Sequence, residues 1–327
     1  MKFAWVFSVA AVLLFLTPAL EAQSIDELQR ALDSGDIETV QAWADSLDGR
    51  TGKLNADELY IRGRLKIRTD RAEAALEDLE AATELSPDRP EIWLSLAEAA
   101  GEVAGSAGMM KARGLAKTAK KALERVVKID PDNLDGRVGL IQFHLQAPWI
   151  AGGRTKEAYR QAEAIGQIDP SLGKRWKARI DLAEGKVESA ETLYRTLLAE
   201  DPGESQAALG LALLLQQQER WSEAVDTLTP FTSGEQTDLL ALYQLGRTGA
   251  LSGQHLAEAE AAFRRYLELS ADAADPPVPP SPTWWRLGMV LAQQSRTADA
   301  RAAFERALTL DPDNQQAAEA LKGLSAE

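Results

Sequence analysis

Between Ser281 and Asn314 the apolar residues recur three and four apart, as Trp284, Leu287 and Leu291 and then as Phe304 and Leu308, with small residues at Gly288, Ala300 and Ala307. That spacing lines side chains up on one helical face. The segment therefore predicts two helices joined by a polar turn, with the small positions letting them approach closely. Asp311-Pro312 closes the unit, since proline has no N–H to continue a helix.

The same pattern recurs upstream with less fidelity. Leu59, Gly63, Ala75, Leu79 and Ala82 precede Ser86-Pro87; Trp93, Leu96 and Ala97, then Ala119, Leu123 and Val126, precede Asp130-Pro131. Leu140, Ile141, Ala158 and Ile165 lead to Asp169-Pro170, and Trp176, Ile180, Ala190 and Tyr194 to Asp201-Pro202. Two further units run over Ser205–Asp238, where no such stop follows, and Leu239–Leu269. Seven full units and one half-formed unit result. An isolated pair of this kind leaves an apolar face in water, so the pattern requires stacking. Residues 23–55 read as an N-terminal capping hairpin, with stripes Ile25, Leu28, Leu32 and Ile37, Val40, Trp43, Leu47. Residues 56–270 form the array and 271–280, with Pro276-Pro277 and Pro279-Pro280, a proline-rich linker that spaces the last repeat or lets it pivot. The last unit is 281–314, and 315–327 is a capping helix. An insertion holding Gly101, Gly105 and Gly108 reads as a long loop, because it lacks the strand and Gly-Lys-Ser/Thr of a phosphate loop.

The order Trp284-x2-Leu287-Gly288-x2-Leu291, then Ala300-x3-Phe304, then Pro312 resembles the tetratricopeptide repeat, W-x2-L-G-x2-Y, A-x3-F and P within about 34 residues. Only Leu291 departs, standing at the tyrosine position. The chain is identified as a member of that family, of an exported bacterial type. The resemblance implies an all-α, right-handed superhelical solenoid of antiparallel helix pairs.

Met1–Ala22 is a different material. Lys2, an uncharged run from Phe3 to Leu16 and the close Thr17-Pro18-Ala19-Leu20-Glu21-Ala22 read as a cleavable secretory signal, too short for the roughly 20 apolar residues of a comfortable span. Export to a periplasm is the expectation; an uncleaved inner-membrane anchor is the alternative. The absence of cysteine excludes disulfides, thiolate metal sites and a lipid anchor on cysteine. A net charge of −14 argues against nucleic acid as partner, because phosphate binding needs clustered cations.

No catalytic grouping emerges. His144 and His255 lie in separate units, neither in a His-Glu-x-x-His motif, and the carboxylates follow helix surfaces. The expectation is no enzyme, no metal and no cofactor, and a protein or peptide partner. In the family resembled, the concave surface is lined by first-helix positions beside the packed ones. Carried onto this chain, these include Tyr60, Arg64, Lys177, Leu213, Tyr243, Arg247, Trp285 and Met289. Tyr60 with Arg64, and Tyr243 with Arg247, are i,i+4 pairs that suit a carboxylate with an apolar neighbour; the same residues would serve equally to pack against the next repeat. The Lys-Asn carboxylate clamp of chaperone-binding members is not reproduced.

One stretch reverses the overall charge. Lys111, Arg113, Lys117, Lys120, Lys121, Arg125 and Lys128 stand against one acid, Glu124. Arg113, Lys117, Lys120, Lys121 and Lys128 fall opposite Leu115, Ala119, Leu123 and Val126, a basic face that is either solvated or docks an anionic membrane surface or acidic partner. The functional expectation is a periplasmic scaffold that binds a partner in its groove during envelope protein assembly. The alternatives are a component of an envelope export or polysaccharide-secretion complex, and, as a different class, a small-ligand carrier or enzyme.

Overall fold

The computed structural model describes residues 24–47, 52–234, 237–273 and 275–324; the signal read in Met1–Ala22 lies outside them. The described residues form seventeen α-helices and two 3-10 turns, with no strand among them. They fall into two compact units, one reaching Phe143 and including Ala147–Gly152, the other comprising His144–Gln146 and everything from Gly153.

Unit 1 contains α1 (Ile25–Ser34), α2 (Ile37–Leu47), α3 (Ala56–Arg68), α4 (Ala72–Leu85), α5 (Pro90–Ser106), α6 (Met109–Ile129) and most of α7 (Leu134–Gln146). Reciprocal capping boxes start two of them: Glu27 N–H donates to Ser24 Oγ while Ser24 N–H donates to Glu27 Oε2, and Asn55 and Glu58 repeat the exchange. Consecutive helices pack in pairs, and the first helices α1, α3 and α5 also meet side by side. Leu28, Val40, Ile61, Leu79, Ile92 and Leu123 sit in one continuous core.

The glycine-bearing stretch expected to be a long loop is helical instead. α5 continues to Ser106, and only Ala107 and Gly108 separate it from α6. The inserted residues lengthen the pair to 17 and 21 residues. The physical reason is that an interior glycine costs only about 1 kcal/mol against alanine, while Leu96, Ala100 and Val103 keep the buried face in phase.

Unit 2 holds α8 (Thr155–Ile168), α9 (Pro170–Ala183), α10 (Val187–Glu200), α11 (Ser205–Gln217), α12 (Trp221–Leu228), α13 (Leu239–Ser252), α14 (Leu256–Leu269), α15 (Pro280–Gln293), α16 (Thr297–Leu310) and α17 (Gln315–Gly323). One core runs from Ala178 through Tyr194, Leu211, Phe263 and Leu291 to Phe304. The small residues act as the sequence implies: a Cβ on Gly246 would lie 2.7 Å from the Phe263 ring, and one on Gly288 would overlap Phe304.

Two local devices repeat. The Asp-Pro stops end second helices because the aspartate carboxylate turns back on the chain: Asp201 Oδ1 accepts from Gly203 N–H at 2.8 Å and Asp311 Oδ1 from Asp313 N–H at 3.0 Å. Within pairs, the turn residue is left-handed, as at Gly185 (φ 73°), Glu219 (φ 57°) and Ser295 (φ 63°). At two of these turns the arginine that follows bonds both its own helix and the preceding pair: Arg220 reaches Glu191 and Glu223, and Arg296 reaches Glu260 and Asp299.

The proline-rich stretch is tied down at its end. Tyr266 Oη donates to Val278 C=O at 2.7 Å and accepts from Val278 N–H at 2.8 Å. Pro280 already opens α15, and Ser281 Oγ donates to Ala307 C=O while accepting from Asn314, the N-cap of α17. These bonds anchor the end of the stretch to α14 and to the last pair.

Candidate partner-binding site

The first helices α11, α13 and α15 of unit 2 pack side by side, which brings alternate turns of each into one row. Tyr243 is buried, its ring edge-on to Phe263 at 5.9 Å and tilted against Tyr266 at 5.8 Å. Over its remaining face lies Arg286, whose guanidinium carbon is 5.6 Å from the Tyr243 ring centre and 4.6 Å from that of Trp285. Trp285 and Met289 are half-buried beside the same core. Arg247 turns towards α11 and donates to Gln216 Oε1 at 2.5 Å and Gln244 Oε1 at 3.2 Å. Gln216 is fixed in turn, its Nε2 donating to Thr248 Oγ1 at 2.8 Å.

The electrostatics of this row are unusual for so acidic a chain. Neither Arg247 nor Arg286 forms an ion pair with any carboxylate among the described residues. Burial pushes the Arg286 guanidinium down from its ordinary value, and the like charge of Arg247 adds to that. Burial also pushes the Tyr243 phenol up, so it stays neutral. A guanidinium nevertheless remains protonated, and these two cations therefore stand half-desolvated beside aromatic faces, held by neutral amides and rings. Such a cluster can accept an anionic group in bidentate fashion while an apolar neighbour lies on Trp285.

The equivalent pair in unit 1 is built differently. Tyr60 is buried between two guanidiniums, Arg64 at 5.8 Å and Arg89 at 5.7 Å from its ring centre. Arg64 is neutralised by Asp33 of α1 at 2.8 Å, and Arg89 by Asp57 and Glu91. Beside it Arg62 and Lys66 bond the buried Asp78 at 2.5 and 2.6 Å. Burial alone would push the Asp78 carboxyl up; the two cations outweigh it and hold the group below the usual carboxylate range.

Lys177 of α9 and Leu213 of α11 are exposed. Asp181, one turn beyond Lys177, is buried, accepting from Tyr159 Oη at 2.5 Å and Ser189 Oγ at 2.6 Å. The basic positions lie on α6 opposite buried Ala119, Leu123 and Val126. Lys120 pairs with Glu124 at 3.4 Å, while Arg113, Lys117, Lys121 and Lys128 make no ion pair with a described residue. His144 is buried in α7, and His255 sits in the left-handed region before α14 with Nε2 3.0 Å from Ser222 Oγ. Among the described residues no three His, Asp or Glu converge to hold a metal, and no helix is long and apolar enough to cross a membrane.

Sequence reasoning named Trp285, Met289, Tyr243 and Arg247 but missed Arg286 and Gln216. The available signal for Arg286 was its place next to Trp285 in a turn with no acid. Nothing in the pattern marks Gln216, which lies on another helix.

A family model described as "T7SS, ESX-1 secretion system protein EccA1, N-terminal domain" matches residues 53–325. No curated protein matches the sequence. Among solved structures, the APC/C hetero-tetramer Cut9–Hcn1 is similar with a TM-score of 0.51 at 13% identity, over 92% of this chain and 48% of that one. This chain thus spans about half the length of that relative. A tetratricopeptide repeat protein from Parabacteroides merdae is similar with a TM-score of 0.48 at 15% identity, over 83% and 99% of the two chains. YrrB, described as a TPR protein with an unusual peptide-binding site, gives 0.43 at 16% identity, over 62% and 100%. The resemblance read from Trp284 to Pro312 thus has its counterpart in three dimensions: the fold is that of tetratricopeptide helix pairs.

Proposed function

The chain belongs to the family of the ESX-1 secretion system protein EccA1 N-terminal domain, and from that premise we propose that it is a scaffold of a secretion apparatus in the cell envelope, holding an acidic segment of a partner protein on the α11–α13–α15 row. One observation carries the reading: Arg247 and Arg286 stand without a carboxylate beside Tyr243 and Trp285 in a chain of net charge −14. Supplying the missing anion recovers the cost of holding those charges half out of water, and association needs no chemical step.

The test is selection of a displayed peptide library against the folded chain. Enrichment should favour acidic peptides with an adjacent apolar residue, and Arg286→Ala with Arg247→Ala should weaken the selected peptides by more than about 30-fold, with circular dichroism unchanged. Selection without acidic bias, or equal binding by the double variant, rejects the site. The envelope location rests on the signal read in Met1–Ala22; the chain recovered from cells should then begin at Gln23 on N-terminal sequencing, whereas a retained Met1 favours the uncleaved anchor.

A further inference from the structure

The three most exposed large apolar side chains of the described residues belong to unit 1. Met109 is 86%, Met110 83% and Trp149 82% exposed, and Ile150 beside it 56%. Met109 and Met110 open α6; Trp149 and Ile150 belong to a 3-10 turn (Trp149–Ala151) that rests on α6 where Gly152 meets Lys120 and Phe143.

Nothing in the fold accounts for these residues. The first turn of α6 carries no acid and no side-chain cap, and bears Lys111, which the helix dipole disfavours and which pairs with Glu73 of α4. Helical phase places Met110, Arg113, Lys117, Lys121 and Lys128 on the outward face, opposite Ala119, Ala122, Leu123 and Val126. Those four cations have no ion-pair partner among the described residues. From Met110 to Lys121 the face runs about 16 Å at 1.5 Å per residue.

We infer that this face docks on an anionic lipid bilayer, with Trp149, Ile150, Met109 and Met110 entering the headgroup region and the α6 lysines and Arg113 above it on the lipid phosphates. The protruding apolar tips are flanked by snorkelling cations, the chemistry of an interfacial element. Charge complementarity selects the occupant and the orientation. A chain at −14 is repelled overall by an anionic surface, which favours approach with this basic face foremost. The inference does not depend on the partner row of unit 2, and Arg286→Ala should leave it untouched.

The test is co-sedimentation of the full chain with phosphatidylcholine vesicles with and without phosphatidylglycerol. Binding is expected to the anionic vesicles alone and to fall as salt rises. Lys117→Ala with Lys121→Ala should weaken it about 25-fold, some fivefold per basic residue. Brominated lipid should quench tryptophan emission, and Trp149→Phe should remove most of that quenching. All three changed side chains are solvent-exposed, so circular dichroism should stay unchanged. Absence of binding, equal binding to neutral vesicles, or indifference to both variants overturns the inference. Binding of soluble polyglutamate in a Lys117- and Lys121-dependent manner, with no vesicle binding, assigns the face to an acidic protein instead.

Discussion

Tyr60 with Arg64 in unit 1 and Tyr243 with Arg247 in unit 2 are the same i,i+4 pair on a first helix, yet the two places are built differently. In unit 1 each named cation finds an acid: Arg64 has Asp33, Arg89 has Asp57 and Glu91, and Arg62 with Lys66 shares Asp78. In unit 2 the position facing Arg247 is Gln216, and Arg286 faces two rings. A closed network rigidifies the joint between repeats; an open one leaves charge to be met from outside. At the i,i+4 arginine the difference comes down to one residue on the neighbouring helix, Asp33 in α1 and Gln216 in α11.

The contrast is broken most forcefully at Asp78. Asp78→Ala should cost about 3 kcal/mol in chemical denaturation, because two partly buried cations lose their acid. Asp78 also predicts a pH dependence. Its carboxyl titrates lower in the folded chain than when unfolded, so its contribution is fully present above pH about 4, the unfolded value. It is lost as pH falls further through the lowered folded value. Asp78→Asn should therefore flatten the acid limb of the stability curve below that point, and an unchanged limb would show that the acid carries no such load.

Arg286→Ala makes the opposite case. Stability should hold or rise slightly, since a half-desolvated cation without an acid is removed, while acidic-peptide affinity drops by about 2 kcal/mol, roughly 30-fold. Calorimetric titration alongside thermal unfolding separates the two readouts; a parallel loss of both would make the unit 2 row a packing joint like that of unit 1.

Gln216→Glu sharpens the comparison by giving Arg247 its own acid. Peptide binding should fall about tenfold while stability moves by no more than about 1 kcal/mol, since a new pair of this kind roughly breaks even. Asp33→Asn is the smallest change. The ion pair it removes is largely exposed on the acid's side and is worth about 0.5 kcal/mol; weak acidic-peptide binding should appear at Arg64, visible as chemical-shift changes around Tyr60.

The helix pairs were legible because their cause is local. Trp284, Leu287, Gly288 and Phe304 state a two-helix hairpin by spacing alone, and the glycine is needed where the Phe304 ring sits. The stretch around Gly101 and Gly105 misled because glycine signals a break only when nothing else holds the helix, and Val103 does hold it. At the site, Tyr243 and Trp285 could be named from register, but their exposure could not: Tyr243 proved buried, and Arg286 took the face beside it.

By itself, then, the sequence determined that this chain is built of helix pairs, where most of its turns fall, and that one helix carries concentrated positive charge; periodicity, Asp-Pro stops and residue counts are properties of neighbours along the chain. Only the tertiary structure decided which arginines are already satisfied and which are not. Whether a charge has a partner depends on residues some thirty positions away, as between Arg64 and Asp33 or Arg247 and Gln216, and that distance is crossed only when repeats stack.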